Sequence, residues 1–223
     1  LYMTHCGGTD GLEEAFSDLG RVWHTTEITT KLYPVCHMTH SFIDCMIRLE
    51  EEHHFGADDI ASAECRIESR CYPIVCTPRE VKTRPNTDYI MRFSLPYVVA
   101  MAAAKQKVGP AEIDLKYAED TKMQALMDKI QCVEDDSKRN PGFFPGYLTV
   151  TLNDGRTFTA DQRYEMGTPQ NPLSMEAVDK KCRANLEAFY TDAQIAQILQ
   201  QISGFETLKD VNCLLASLIA GGK

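Results

Sequence analysis

The sequence has no apolar stretch long enough to span a membrane. The longest, Leu95 to Ala104, stops at Lys105, well short of the roughly 18 residues a spanning helix needs. No C-x-x-C pair occurs among the nine cysteines, which run from Cys6 to Cys213. An odd thiol count without zinc-ribbon, zinc-finger or iron–sulfur spacing argues against those metal classes, and against the even-numbered disulfide framework of a small secreted domain. Reduced thiols and a cytoplasmic location are therefore expected. No repeat, low-complexity tract or βαβ series with a Gly-rich phosphate loop is present, and Gly7-Gly8 alone does not make one. Positive charge is in deficit, with 23 Lys and Arg against 32 Asp and Glu for a net charge of -9. A surface that neutralises phosphates needs the opposite balance, so nucleic acid is excluded as an expected partner. A few local cations still suffice for a small anion.

What is present is ordinary globular material: 223 residues, 43% apolar and 25% charged, which suggests one or two domains. The opening Leu1 to Gly8 has the composition of neither a signal nor a transit peptide, and it reads like a chain entered part-way through. Gly11 to Gly20 is expected as a short helix with Leu12, Ala15, Phe16 and Leu19 on one face, and Trp23 to Lys31 as extended chain. A helix is expected from Pro34 to about His53, with Glu50 to His54 at a solvated end, then a strand over Ile60 to Pro73 with Ile67 inward. Thr87 to Lys105 reads as one apolar helix, kinked or opened at Pro96. Asp120, Ser174 and Thr191 are expected N-caps. Tyr147–Leu152 and Arg156–Ala160 alternate about Asn153-Asp154-Gly155 and predict a β-hairpin. A last helix is expected over Leu208–Leu218. Strands in the middle and helices at both ends define an α+β fold.

The densest chemistry is Lys31-Leu-Tyr33-Pro34-Val-Cys36-His37-Met-Thr-His40, followed by Asp44. His40 and Asp44 are four apart on one helix face, which suits a carboxylate that fixes an imidazole tautomer for acid–base work. The free N–H groups at the helix start suit a carboxylate ligand. The same spacing is that of an ordinary capped helix with surface histidines. Cys36, His37 and His40 match no standard zinc pattern, so no metal is expected. A second constellation carries Lys82 and Arg84 on a loop before Tyr97, a phenol that reads either as ligand-facing or as a core tyrosine with a satisfied hydroxyl.

Taken in order, these segments resemble the MmgE/PrpD family, whose members include 2-methylcitrate dehydratases, cis-aconitate decarboxylases and iminodisuccinate epimerases. Lys31-Leu-Tyr-Pro-Val-Cys matches K-x-[YF]-P, and His40 and Asp44 fall on the following H-x-x-x-D. Arg84-Pro with Arg92-Phe-Ser-Leu-Pro-Tyr97 resembles R-P…F-S-x-x-Y. Val150-Thr-Leu-Asn-Asp-Gly-Arg resembles V-x-L-x-D-G-R, and Gly167-Thr-Pro-Gln-Asn-Pro-Leu-Ser resembles G-x-P-x-N-P-L-S. The resemblance covers about residues 11 to 190. It implies an all-helical domain built from both ends of a longer chain, with an α+β lid between them. Residues 1–32 would close the first helical section, 33–166 would form the lid, and 167–223 the returning helices. The N-terminal half of a full family member, with its catalytic Asp, His and Lys, would have no counterpart here.

The resemblance also implies roles. Lys31, Tyr97 and His40 would be catalytic, Cys36, His37 and Arg84 would bind substrate, and Asp44 would support His40 from behind. Cys36 stands where cis-aconitate decarboxylases carry a histidine, with His37 a partial substitute, so a hydro-lyase is favoured over a decarboxylase or an epimerase. The expected enzyme is a cofactor-free lyase for a small di- or tricarboxylate, homodimeric or joined to an N-terminal helical half. The alternative is a non-catalytic lid-type module, or an inactive fragment, whose Ile195, Ile198, Leu199 and Ile202 stripe needs a helical partner.

Overall fold

A computed structural model describes residues 2–5 and 7–219. Two short helices, α1 (Tyr2–His5) and α2 (Leu12–Ala15), precede α3 (His40–His53) and strand β1 (Ile60–Ile67). Then come α4 (Tyr72–Val75), α5 (Arg79–Lys82), α6 (Asp88–Arg92), α7 (Leu95–Lys105), α8 (Leu115–Ala118) and α9 (Thr121–Lys129). Strands β2 (Ile130–Glu134), β3 (Gly146–Leu152) and β4 (Thr157–Gln162) complete a sheet of order β2-β1-β3-β4. The chain ends with α10 (Met175–Leu186), α11 (Asp192–Ser203) and α12 (Asn212–Ile219). This is the expected α+β fold.

The sheet is mixed. β1 pairs parallel with β2 and antiparallel with β3, which pairs antiparallel with β4. β3 alternates strictly, burying Gly146, Leu148, Val150 and Leu152, so one sheet face lies against helices and the other carries the Thr149–Thr159 and Thr151–Thr157 hydroxyl pairs. β1 alternates less regularly because its register with β3 slips between Ile60 and Ser62, a bulge that re-aims Ile60 into the core. α3 packs against β3 and β4 through Phe42, Ile43, Met46 and Leu49, each at most 1% exposed. α7 is apolar all round and buried from Leu95 to Ala103, as a helix packed between α3, α9 and β2 must be.

Local signals land where the residues put them. Asp120, Ser174 and Thr191 each accept the N–H of the third residue on, and the hairpin turns at Gly155 with φ of 87°, where only glycine is unstrained. Other expectations need correction. The helix expected over Gly11–Gly20 is the single turn α2, and Phe16 and Leu19 stay exposed; one turn is not stable without a surface to pack on. Trp23–Lys31 contains a 3₁₀ turn at His24–Glu27 before it extends. The Thr87–Lys105 helix is two helices broken at Phe93 and Ser94. Pro96 sits in the first turn of α7, where a missing N–H does no harm, and Ser94 caps it. Ile130, which continues the helical spacing of α9, instead opens the edge strand β2. The last helix starts at Asn212, after Asp210 accepts its N–H. His53 stacks on Phe158 at 3.8 Å, and Glu50 is buried, so the end of α3 is less solvated than its charges suggest. The eight described cysteines are free thiols; Cys6 and Leu1 lie outside the described residues.

α3 lies close on β3. A Cβ on Gly146 would lie 2.8 Å from the Ser41 Cβ and 2.9 Å from its carbonyl carbon. Gly146→Ala should therefore lift α3 off the sheet and cost about 1–3 kcal/mol, read as a lowered urea midpoint with an unchanged slope. Gly146 carries no chemistry, so a variant as stable as the parent would show that α3 is not seated as described.

Candidate active site

The site begins as a backbone problem. Residues Thr30–Cys36 form an irregular arm that must be held without strand or helix. Gly167 takes φ of 97°, and a Cβ there would meet the Thr30 carbonyl oxygen at 2.0 Å, so glycine alone lets the Thr30 N–H donate to the Gly167 carbonyl at 2.9 Å. Farther along, the Arg92 guanidinium donates to the Pro34 carbonyl at 2.6 Å, and the Cys36 N–H donates to the Arg92 carbonyl at 2.8 Å. From α10, the Lys181 ammonium donates to the Lys31 carbonyl. Four contacts from two elements and the Gly167 turn fix the arm, while the Lys31 side chain stays exposed, its ammonium 3.4 Å from the Val35 carbonyl.

The arm leads into a 3₁₀ turn, His37–Thr39, and then α3, which brings Tyr33, His37 and His40 together. His40 is 0% exposed. Tyr33 and His37 meet its ring edge-on at centroid distances of 5.2 and 4.7 Å. Its Nε2 lies 3.4 Å from the Val35 carbonyl, and its Nδ1 has no partner. Burial, reinforced by His37 and two lysines, lowers its pKa to about 3, so the ring is a neutral imidazole. Asp44 does not orient it. The Asp44 carboxylate is taken by the Tyr33 hydroxyl at 2.6 Å and the Gln162 amide at 2.5 Å. Four-residue spacing put Asp44 on the correct face, and these two closer donors claim its oxygens.

His37 is the reachable imidazole, with its side chain 16% exposed. Its Nε2 is 3.8 Å from the Glu165 carboxylate and has no hydrogen bond. Burial lowers its pKa and Lys31 adds to the shift, while Glu165 opposes it. Glu165, which the sequence did not single out, is 1% exposed and accepts the Phe144 N–H at 3.0 Å. Its one signal is its position two residues before the Gly167 turn.

Lys31 and Tyr33 also line a cavity of about 580 Å³ between the arm, α10 and the loop after α7. Lys107, Lys180 and Lys181 face it, with Glu51 as the one lining acid. Lys107 is paired with Glu187 at 3.3 Å. Val108 to Pro110 form one wall, braced by Glu112, whose carboxylate accepts the Gly109 N–H at 2.8 Å. Tyr97 lies behind that wall. It is 0% exposed and donates its hydroxyl to the Glu112 carbonyl at 2.5 Å, so the phenol supports the loop and does not face the cavity. Arg84 is farther off, bidentate to Asp128 at 2.7 and 2.9 Å. Cys36 is buried, and its carbonyl accepts both the N–H and the hydroxyl of Thr39. The structure thus gathers Lys31, His37 and His40, buries Cys36, and sets Tyr97 and Arg84 elsewhere. Among the described residues no group of three or more His, Cys, Asp or Glu is placed to hold a metal, and no helix is long and apolar enough to cross a membrane.

A family profile described as the MmgE/PrpD C-terminal domain matches residues 33–204, well over half of the chain. Among curated proteins, 216 residues are 24% identical to the cis-aconitate decarboxylase-like protein oryM of Aspergillus oryzae, covering 94% of this chain and 44% of that protein. The alkylcitrate dehydratase phiI of Talaromyces stipitatus is 25% identical over 222 residues, 92% of this chain and 45% of its own length. The cis-aconitate decarboxylase of Aspergillus terreus is 22% identical over 220 residues, 92% and 43% respectively. The chain thus spans less than half the length of the curated relatives it matches.

The His40 environment predicts an acid-side loss of stability. The unfolded chain protonates this histidine near pH 6.5 and the folded one only near 3. Between these values the unfolded state binds more protons, so stability falls as pH drops. Nuclear magnetic resonance of the His40 ring should show the neutral form down to the onset of acid unfolding. A ring that titrates near pH 6.5 in the folded protein would contradict its enclosure.

Proposed function

The chain belongs to the MmgE/PrpD family, and on that premise we propose that it contributes the Lys31–His37 face of a lyase site for a small di- or tricarboxylate, with a hydro-lyase favoured. The observation that carries this reading is the cavity where Lys31, Lys107, Lys180 and Lys181 surround one acid, Glu51, in a chain whose net charge is -9. Four lysines concentrated against the overall charge, Lys107 among them paired with Glu187, suit a multiply charged carboxylate. Lys31 is near enough to His37, which lies outside the cavity lining, to lower its pKa. The names of the relatives point to citrate-type acids: a decarboxylase for cis-aconitate and a dehydratase for an alkylcitrate.

In this reading Lys31 holds a substrate carboxylate and stabilises the negative charge that develops on it when the neighbouring C–H bond breaks. His37, neutral because burial and Lys31 lower its pKa, accepts that proton. Glu165, 3.8 Å away, then faces an imidazolium. For a hydro-lyase the electron pair forms the alkene as the hydroxyl group leaves as water, taking the proton back from the His37 imidazolium. Tyr33 is not the acid, because its hydroxyl proton is committed to Asp44. His40 is enclosed and acts as a positioning residue behind His37. No step calls on a cofactor, and eight free thiols suit a reducing, cytoplasmic setting. A homodimer, or a separate N-terminal helical half, would complete the site.

One observation favours the second reading, in which this chain by itself is an inactive part. Large apolar residues are exposed at its two ends, Trp23 at 74%, Met175 at 74%, Phe189 at 62% and Ile219 at 85%, outside the core of sheet, α3 and α7. The expected stripe on α11 is not this surface, since Ile195, Ile198 and Leu199 are buried and only Ile202, at 46%, is open; α12 packs against α11.

The test is turnover of cis-aconitate, citrate and 2-methylcitrate, followed by alkene absorbance and released carbon dioxide. The 223-residue chain should be compared with one extended N-terminally by a helical section. The extended protein should turn over at least one acid and the short chain should be nearly inert; no turnover of any acid by a folded, extended protein sinks the lyase reading. Within an active form, Lys31→Ala should lower kcat/KM by about 100-fold or more with little loss of stability. Tyr97→Phe should instead lower stability by about 1–2 kcal/mol through its lost buried hydrogen bond, with a much smaller effect on rate. The reverse pattern would return Tyr97 to the chemistry and remove Lys31.

A further inference from the structure

A second, larger cavity of about 1120 Å³ opens between the end of α3, the turn at Gly56–Asp59, the end of α7 and helices α8 and α9. Gln106 borders both cavities. The notable residue is Glu50 on α3. It is 2% exposed and lines the cavity, and neither carboxyl oxygen has a well-formed hydrogen bond, the Gln106 amide making only a weaker contact. Burial raises its pKa to about 8, with Glu51 adding and the Gln106 amide opposing. A buried acceptor without a donor is costly unless something supplies one.

The other charges facing this space divide into committed and free. Lys116 is paired with Asp114 at 2.9 Å, and Lys129 donates to the Ile60 carbonyl at 2.5 Å. Asp59 accepts the Gly56 N–H, and Asp120 accepts that of Met123, both at 2.9 Å. Among the described residues Asp58 and Lys122 carry no side-chain hydrogen bond or ion pair. Lys105 has only the Tyr117 ring, with its ammonium 5.4 Å from the centroid. Two acids and two ammonium groups therefore remain for a ligand, and one of the acids is buried with only the Gln106 amide beside it.

We propose that this cavity binds a small zwitterion of the amino-acid type, its ammonium donating to Glu50 and its carboxylate held by Lys105 and Lys122. A simple cation would meet Glu50 but be repelled by the two lysines. A di- or tricarboxylate would meet the lysines but be repelled by Asp58, and it would bring Glu50 no donor. A molecule carrying both charges satisfies both sets, and an ammonium group brings three donors to a buried carboxyl that otherwise has only a weak contact from the Gln106 amide. The site is separate from the four-lysine cavity and does not depend on the lyase reading.

The experiment is saturation-transfer nuclear magnetic resonance on the 223-residue chain with ω-amino acids from glycine to aminohexanoate, beside butylamine and butyrate. One length should bind best, about tenfold or more tighter than either singly charged analogue, as a charge-assisted bond at each end requires. Because bound Glu50 must ionise, calorimetry near neutral pH should show a proton released, seen as a heat that varies with buffer. Glu50→Gln, close in shape to the neutral acid, should weaken the best ligand by about tenfold and abolish that proton release. Equal binding of butylamine or butyrate, no binding of any amino acid at millimolar concentration, or undiminished affinity in Glu50→Gln would each overturn the assignment. Should Glu50→Gln fail to fold, the length series and the buffer-dependent heat on the unaltered chain still decide it.

Discussion

The candidate site depends on one constraint, the seating of the Thr30–Cys36 arm. This stretch has no secondary structure to hold it, yet it carries Lys31 and Tyr33 and sets where His37 and His40 begin. Its shape comes from backbone bonds to distant elements: Gly167 on Thr30, Arg92 on Pro34 and Cys36, and Lys181 on Lys31. Each partner belongs to a different part of the fold, so α6, the turn after β4 and α10 must all be in place before the arm is. Rigid surroundings that fix a loop are how a mobile lysine is brought to a defined position.

That dependence explains what was legible in the sequence and what was not. Signals confined to a few residues were read correctly, because their physics is local: the Asn153-Asp154-Gly155 turn and the caps at Asp120, Ser174 and Thr191. The lysine, tyrosine and two histidines were close in sequence, and the fold keeps them close. Their partners were not legible. Gln162 and Glu165 reach Asp44 and His37 from more than a hundred residues away, and nothing in the spacing of His40 and Asp44 shows that Tyr33 will claim the carboxylate first. β2 was missed for the same reason, since the parallel pairing that makes Ile130–Glu134 a strand is supplied by β1. Tyr97 shows the opposite hazard: a motif position that resembles an active-site tyrosine is, in this chain, a fully buried brace for the cavity wall.

The electrostatics divide in a way the net charge conceals. In a chain of net charge -9, one cavity is lined by four lysines and Glu51, while its neighbour mixes lysines and aspartates with a buried Glu50. The two share Gln106, so opposite ligand chemistries adjoin across one side chain. The first suits the polycarboxylate proposed for it, and the second the proposed ligand bearing both signs.

If the arm positions the site, disturbing its seat should disable binding without touching any charged group. Gly167→Ala does that, because the added methyl collides with the Thr30 carbonyl while every lysine and histidine remains. The measurement is the affinity of the variant for tricarballylate, a tricarboxylate with no hydroxyl to eliminate, beside its far-ultraviolet dichroism and urea midpoint. The account predicts a loss of about tenfold or more, from displaced rather than missing cations, with the secondary structure retained. Undiminished tricarballylate affinity in a folded Gly167→Ala protein would show that the arm does not set the site.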